Sequence, residues 1–130
     1  MPENHVDTVM RTEFPTLRLD TPIREAVALF VSSGWAAAPV VDDKGALVGI
    51  MSQKDCFRSA LNASYYRQWS GTVEGYYTKS VETLDIETDI VTAAQSFIEK
   101  PFRAYPVTRH GMLVGMLNRD DLLKAFLDFG

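Results

Sequence analysis

An internal duplication constrains this chain more than any other feature. Slid by 67 positions, so that Pro39 meets Pro106, the two halves fall into register. Val6 then lies on Val73, Thr16-Leu17 on Thr83-Leu84, Thr21 on Thr88 and Ile23 on Ile90. Ala26 meets Ala93, Phe30 meets Phe97, and Pro39-Val40 meets Pro106-Val107. One residue is missing from the second copy's turn, after which Gly45 meets Gly111, Leu47-Val48-Gly49 meets Leu113-Val114-Gly115, and Asp55 meets Asp121. Identities kept in order across a whole half mark a repeat, and a repeat means one supersecondary unit made twice.

Each copy carries the same local signals. Thr16 to Leu19 and Thr83 to Ile86 read as short strands. Thr21 is placed to cap a helix, with Pro22 at its first position, where a missing N–H costs nothing. Ile23, Ala26, Val27 and Phe30 follow at helical spacing, and Gly34 stops the helix. In the second copy Thr88 takes the cap, Ile90, Ala93, Ala94 and Phe97 form the apolar stripe, and Pro101 ends it. Ala36 to Val41 and Arg103 to Thr108 read as buried strands. Turns at Lys44-Gly45 and His110-Gly111 lead to strands at Leu47–Met51 and Met112–Leu117, then to helices from Gln53 and Arg119. The predicted order is strand, helix, strand, strand, helix, twice over, in an α+β (α/β) fold. A unit of about 60 residues buries too little apolar surface to be stable alone, so the two sheets are expected to pack on each other. Residues 1–63 form the first copy, 64–72 a connector and 73–130 the second, together one compact module. The connector region Leu61 to Gly71 carries Tyr65, Tyr66 and Trp69, expected to pack on the module as helix and loop, with a dimer contact or a ligand platform as the other reading.

Composition narrows the function classes. Of 130 residues, 46% are hydrophobic and 23% charged, which excludes wholesale disorder. A net charge of −4 argues against nucleic-acid binding, which needs a cationic face. Cys56 is the single cysteine, so no internal disulfide forms and thiolate metal sites lack partners. The start, Met1 to His5, has no basic-then-apolar pattern, and no apolar run approaches the roughly 20 residues of a membrane span. A cytoplasmic protein is the expectation. His5 and His110 have no acid–nucleophile constellation around them, and neither a glycine-rich phosphate loop nor a metal-ligand spacing is present. Catalytic and metal residues are therefore expected to be none, and Cys56, Met112 and Met116 read as core.

The chemistry-bearing motif is Gly49-Ile50-Met51-Ser52-Gln53-Lys54-Asp55, repeated as Gly115-Met116-Leu117-Asn118-Arg119-Asp120-Asp121. A strand ends, Ser52 or Asn118 stands at a helix N-cap, and an acid follows three residues on. One reading is capping alone, with Ser52 or Asn118 accepting from first-turn N–H groups and the acid favouring the positive helix end. The other uses the same geometry for a ligand: the helix start welcomes phosphate, and an acceptor-only carboxylate suits the two hydroxyls of a ribose. Lys54 and Arg119 sit in the first turn against the helix dipole, which hints at an anionic ligand.

Together these motifs resemble the CBS (cystathionine-β-synthase) repeat. They are Val6-Asp7-Thr8-Val9-Met10, Pro39-Val40-Val41-Asp42 and Gly49 to Asp55, then the degenerate Val73-Glu74-Gly75-Tyr76-Tyr77, Pro106-Val107 and Gly115 to Asp121. The resemblance covers essentially the whole chain. It implies a Bateman-type regulatory module: two repeats packed sheet to sheet with pseudo-two-fold symmetry, and clefts between them that hold AMP, ADP, ATP or S-adenosylmethionine. On the matching positions the ribose acceptors are Asp55 and Asp121, with Ser52 and Asn118 beside them. Asn118 departs from the family's serine or threonine. The adenine side falls to Ala37, Ala38, Ala104 and Tyr105, and the phosphate side to Arg119, Arg103 and Lys54. Arg11 and Lys79, after the first motif of each copy, are further cations, and the second set carries more positive charge.

The implied function is a non-catalytic sensor that needs no cofactor beyond its regulatory ligand and signals to a separate, unknown effector protein. The competing reading is a structural dimerisation or docking module with empty clefts. A homodimer is expected through the repeat helices, because the last helix carries Leu122, Leu123, Phe126, Leu127 and Phe129.

Overall fold

The computed structural model describes residues 4–128. Its elements follow the chain as α1 (Ile23–Ser33), β1 (Ala37–Val41), β2 (Leu47–Ser52), α2 (Gln53–Tyr66), β3 (Leu84–Asp85), α3 (Ile90–Glu99), β4 (Ala104–Arg109), β5 (Met112–Asn118) and α4 (Arg119–Leu127). Short 3-10 turns at Val6–Thr8 and Val73–Gly75 lie at the start of the two copies. The class is α+β, as expected.

The chain divides into two compact units, and these differ from the sequence copies by an exchange. One unit is residues 15–81; the other joins 1–14 to 82–130. The lead-in segment of each copy thus folds with the other copy, and its hydrogen bonds show how. The Val73 N–H donates to the Thr21 carbonyl at 3.0 Å, and the Ile23 N–H to the Gly71 carbonyl at 3.1 Å. In the other unit the Val6 N–H donates to the Thr88 carbonyl at 2.8 Å, and the Ile90 N–H to the Asn4 carbonyl at 3.0 Å. Each lead-in satisfies a first-turn N–H that a helix leaves without an internal partner.

In unit 15–81, β1 and β2 form an antiparallel hairpin, and α1 and α2 cover one face. Leu17, Ile23, Ala26, Phe30, Ala38, Val40, Met51 and Cys56 make the core, closed by Val73 from the lead-in. The expected strand at Thr16–Leu19 is reduced to a single parallel bridge, Leu17 to Val40. The chain turns directly after it, because the Arg18 N–H donates to the Thr21 Oγ at 3.0 Å. That hydroxyl is therefore not the helix cap: Pro22 stands at the N-cap without a side-chain bond, and the lead-in carbonyl of Gly71 serves instead. Gly34 ends α1 at φ 72°, the left-handed conformation that only glycine adopts without strain.

The second unit repeats the plan with a three-stranded sheet, β3-β4-β5, in which β3 runs parallel to β4 and β5 antiparallel to it. Val6, Leu84, Ile90, Ala93, Tyr105, Val107, Leu117 and Leu122 form its core. The cap of α3 is Asp89 rather than Thr88: its carboxylate accepts from the Thr92 N–H at 2.8 Å. Aspartate is the better cap, so the helix begins one residue later than expected. Lys100, extended before Pro101, ends it. At the β4–β5 turn both His110 (φ 51°) and Gly111 (φ 79°) are left-handed, as a two-residue hairpin requires.

On α4, Leu122 is buried and Phe126 packs against the core, which leaves Leu123 and Leu127 exposed; Phe129 lies outside the described residues. The last helix is therefore less apolar outward than the sequence implied. A longer exposed stripe lies on α2, where Phe57, Leu61 and Tyr65 recur every four residues. Tyr65 and Tyr66 are largely exposed, not packed as expected.

Candidate functional site

Strand register assembles most of the expected site residues at one junction in each unit. Ala37 pairs with Ser52 across the β1–β2 hairpin, and α2 starts on the next residue. The Gln53 N–H donates to the Ala36 carbonyl at 3.0 Å, which fixes the helix start against the head of β1. Ala37, Ser52, Lys54 and Asp55 thus share one corner. In the other unit Ala104 pairs with Asn118, and the Arg119 N–H donates to the Arg103 carbonyl at 2.9 Å. Arg103, Ala104, Asn118, Arg119 and Asp121 gather in the same way. Lys54, Arg103 and Arg119 are exposed and form no ion pair among the described residues.

Two of the four adenine-side candidates have their side chains elsewhere. Side chains alternate along a strand, and Ala38 and Tyr105 point into the helix-covered cores, whereas Ala37 and Ala104 do not. The Tyr105 hydroxyl donates to the Ser96 carbonyl at 3.1 Å, and its ring meets Phe97 and Phe102 edge to face. Burial, followed by the nearby Glu82 and Glu99, pushes its phenol pKa up. Tyr105 is a core residue that offers a ligand only its backbone.

The two carboxylates have different surroundings. Asp55 is almost wholly buried and completes a capping box with Ser52. Its Oδ2 accepts from the Ser52 N–H at 2.9 Å and the Ser52 hydroxyl at 3.2 Å, and the Asp55 N–H donates to the Ser52 Oγ at 3.4 Å. Its Oδ1 faces Arg58, one turn along, at 3.4 Å. Asp121 instead accepts a two-pronged contact from Arg11, with Nε to Oδ2 at 2.8 Å and Nη2 to Oδ1 at 3.1 Å. The Arg11 bond, helped by its charge and by the Asn118 amide, holds the Asp121 carboxyl below its usual range, against a smaller opposing effect of burial. Asn118 does not act as the expected side-chain cap. It occupies the N-cap, but its amide donates to Asp121 Oδ2 at 3.4 Å.

Glycines admit the lead-in segments to both corners. A Cβ on Gly49 would stand 2.5 Å from the Thr78 carbonyl oxygen and from the Tyr77 ring. One on Gly115 would collide with the Met10 sulfur and lie 3.1 Å from the Arg11 oxygen. Arg11 and Met116 exchange backbone hydrogen bonds at 2.8 and 2.9 Å, as Thr78 and Ile50 do in the other unit. Sequence reasoning held Arg11 only as a possible phosphate ligand and missed its pairing with Asp121. The break in the repeat, arginine at 11 against threonine at 78, was the available signal.

Two copies of a strand–helix corner, each with a carboxylate at the third helical position and cations beside it, make this chain a tandem repeat. The chain belongs to the CBS domain family, which matches residues 6–62 and 73–128. It is similar over 96% of its length, and 97% of the other chain, to the structure of CBSX2 in complex with AMP, at a TM-score of 0.84 and 26% identity; CBSX2 is a CBS-pair protein from Arabidopsis thaliana. Among curated relatives it is 25% identical over 119 residues to an uncharacterized protein of Methanocaldococcus jannaschii, and spans 41% of that protein's length. It is 27% identical over 124 residues to an uncharacterized 17.7 kDa protein of Acidianus ambivalens, 73% of whose length it covers. No described helix is long and apolar enough to cross a membrane, and no cluster of three His, Cys, Asp or Glu among the described residues is placed to hold a metal.

Proposed function

We propose that this protein is a non-catalytic regulatory module that binds an adenosyl ligand, an adenine nucleotide or S-adenosylmethionine, at the two strand–helix corners. The observation that carries this reading is the duplicated corner itself, with Asp55 and Asp121 at the same helical position in both units. The likeness to a CBS-pair protein solved with AMP supports the ligand class. In this reading Asp55 and Asp121 accept from ribose hydroxyls, Ser52 and Asn118 flank them, and Ala37 and Ala104 with the neighbouring backbone line the base. Lys54, Arg103 and Arg119 receive the phosphates. Asp55 suits the role because a carboxylate has about four acceptor positions, and the capping box leaves Oδ1 only a distant contact with Arg58. Binding shifts the conformational population toward the state that fits the ligand, and that shift is the signal to a separate effector protein.

Calorimetry with AMP, ATP and S-adenosylmethionine on the wild type, Asp55→Ala and Asp121→Ala tests the reading. Loss of a charged hydrogen bond at the occupied site should cost roughly 10- to 150-fold in affinity. Unchanged affinity in both variants, or no binding of any adenosyl compound, overturns it. A specific observation favours a docking module as the second reading: both carboxylates already have intramolecular partners, while Phe57, Leu61 and Tyr65 stand exposed on α2. Adenine absorbance released on denaturing the purified protein decides for the sensor. A homodimer, common to both readings, predicts about twice the 14.5 kDa chain mass in light scattering, and a clean monomer removes it.

A further inference from the structure

We propose that Arg11 makes the Asp121 corner selective for phosphorylated ligands, by occupying the carboxylate until a ligand offers the guanidinium a phosphate in exchange. This inference rests on the nucleotide reading above and adds to it a residue that decides which ligands are accepted. Arg11 is held in place at its root: its backbone exchanges two hydrogen bonds with Met116, two residues before the Asn118 N-cap. From there its Nε and Nη2 take both oxygens of Asp121. The pair is accessible, with side-chain exposures of 55% and 24%, so the contact can open without disturbing the core.

The other unit supplies the internal control. Its lead-in makes the same paired backbone bonds, Thr78 with Ile50, but carries a threonine at the position aligned with Arg11. No lead-in cation is among the hydrogen-bond or ion-pair partners of Asp55, whose contacts are Ser52 and Arg58. The two corners therefore differ in what a ligand must displace. A ribose diol donates to the same oxygens that the Arg11 fork already holds, so the two compete. A nucleoside that wins separates the guanidinium from Asp121 and gives it no phosphate in return. A nucleotide provides a phosphate, which matches the planar fork with two parallel hydrogen bonds. The exchange is then near balance for a nucleotide and unfavourable for a nucleoside.

The test compares adenosine with AMP by calorimetry on Arg11→Thr, which installs the residue of the aligned position, and on Arg11→Lys. Both are made in an Asp55→Asn background, so that the heat reports the Asp121 corner. Removing an exposed ion-pair competitor should tighten adenosine by about 2- to 5-fold. Losing a charged phosphate contact should weaken AMP, so the AMP-to-adenosine affinity ratio should fall by roughly tenfold or more in Arg11→Thr. Arg11→Lys keeps the charge but not the fork, and a smaller fall is expected there. If Arg11→Thr does not fold, by circular dichroism and thermal melting, the lysine variant decides on the same ratio. A ratio unmoved by either substitution, while Asp121→Ala abolishes binding, overturns the role of Arg11 and leaves the nucleotide reading standing. Absence of binding by both compounds to the unsubstituted chain overturns the nucleotide reading and this inference with it.

Discussion

Ser52 and Asn118 occupy aligned positions, yet only one acts as a side-chain cap. Ser52 closes a reciprocal box with Asp55, whereas Asn118 turns its amide to Asp121 at 3.4 Å. Ser52→Ala should therefore destabilise by about 1 kcal/mol, and Asn118→Ala by less than half of that, in urea denaturation. Equal losses would show that the two caps are equivalent after all. Cys56 beside this box makes a pH prediction. Burial, with a smaller effect of the Asp55 charge, pushes its thiol up to about 11. The folded state therefore holds the proton more tightly than the unfolded chain, where the thiol titrates near 8.5. Stability from this group is complete below that pH and declines as pH rises from about 8.5 toward 11. A Cys56→Ala variant should show a flatter alkaline limb, and thiol reagents at neutral pH should label Cys56 only on unfolding. At this scale the sequence was informative where local chemistry decides: Ser52, Asp55 and Cys56 are where their types and spacing implied. It did not pair Arg11 with Asp121, because 110 positions separate them and only the folded chain makes them neighbours.

Helices and hairpins were legible because their signals are local. Gly34, Pro101 and the two turn glycines end elements where their backbone preferences require. The errors fell at boundaries where a longer-range partner intervened. Thr21 lost its cap role to the Gly71 carbonyl of the lead-in, and Thr88 lost its own to the stronger Asp89. The resemblance implies a base-side role for Ala38 and Tyr105 along with Ala37 and Ala104, but the strand's period of two turns the side chains of Ala38 and Tyr105 into the cores. The strand glycines carry the clearest element-scale prediction. In a β-strand, alanine normally improves on glycine, but at Gly49 and Gly115 it should destabilise, because the added methyl meets the lead-in segment. At Gly49 the obstacle is the Thr78 backbone oxygen at 2.5 Å, which cannot move without breaking its pairing with Ile50. At Gly115 it is chiefly the Met10 side chain, which is flexible. Gly49→Ala should cost about 1–3 kcal/mol and Gly115→Ala clearly less, measured by thermal or urea unfolding. The reverse order would mean that the second lead-in is the more rigid of the two.

For the whole molecule the exchange of lead-in segments has a consequence that the repeat boundaries alone do not suggest. The duplication reads as copies spanning 1–63 and 73–130, whereas the compact units are 15–81 and the pair 1–14 with 82–130. Val73, wholly buried, belongs to the core of the first, and Val6, equally buried, to the core of the second. A fragment covering 1–63 therefore lacks Val73, Tyr76 and Tyr77, keeps a lead-in whose partners are absent, and leaves the Ile23 N–H without the Gly71 carbonyl. A fragment covering 15–81 has all of these. Both are short, and domains of this size have marginal stability, so the difference should be visible. Far-ultraviolet circular dichroism and thermal melting at equal concentration should show residues 15–81 more helical and more cooperative than residues 1–63. Within the intact chain, Val73→Ala and Val6→Ala should each cost about 1–3 kcal/mol, because each removes a fully buried side chain that closes a core. Hydrogen exchange locates the damage: Val73→Ala should expose amides of α1 and β1, and Val6→Ala those of α3 and β4. If each substitution instead loosens the copy that follows it in sequence, the lead-in segments belong with their own copies and the exchange is refuted.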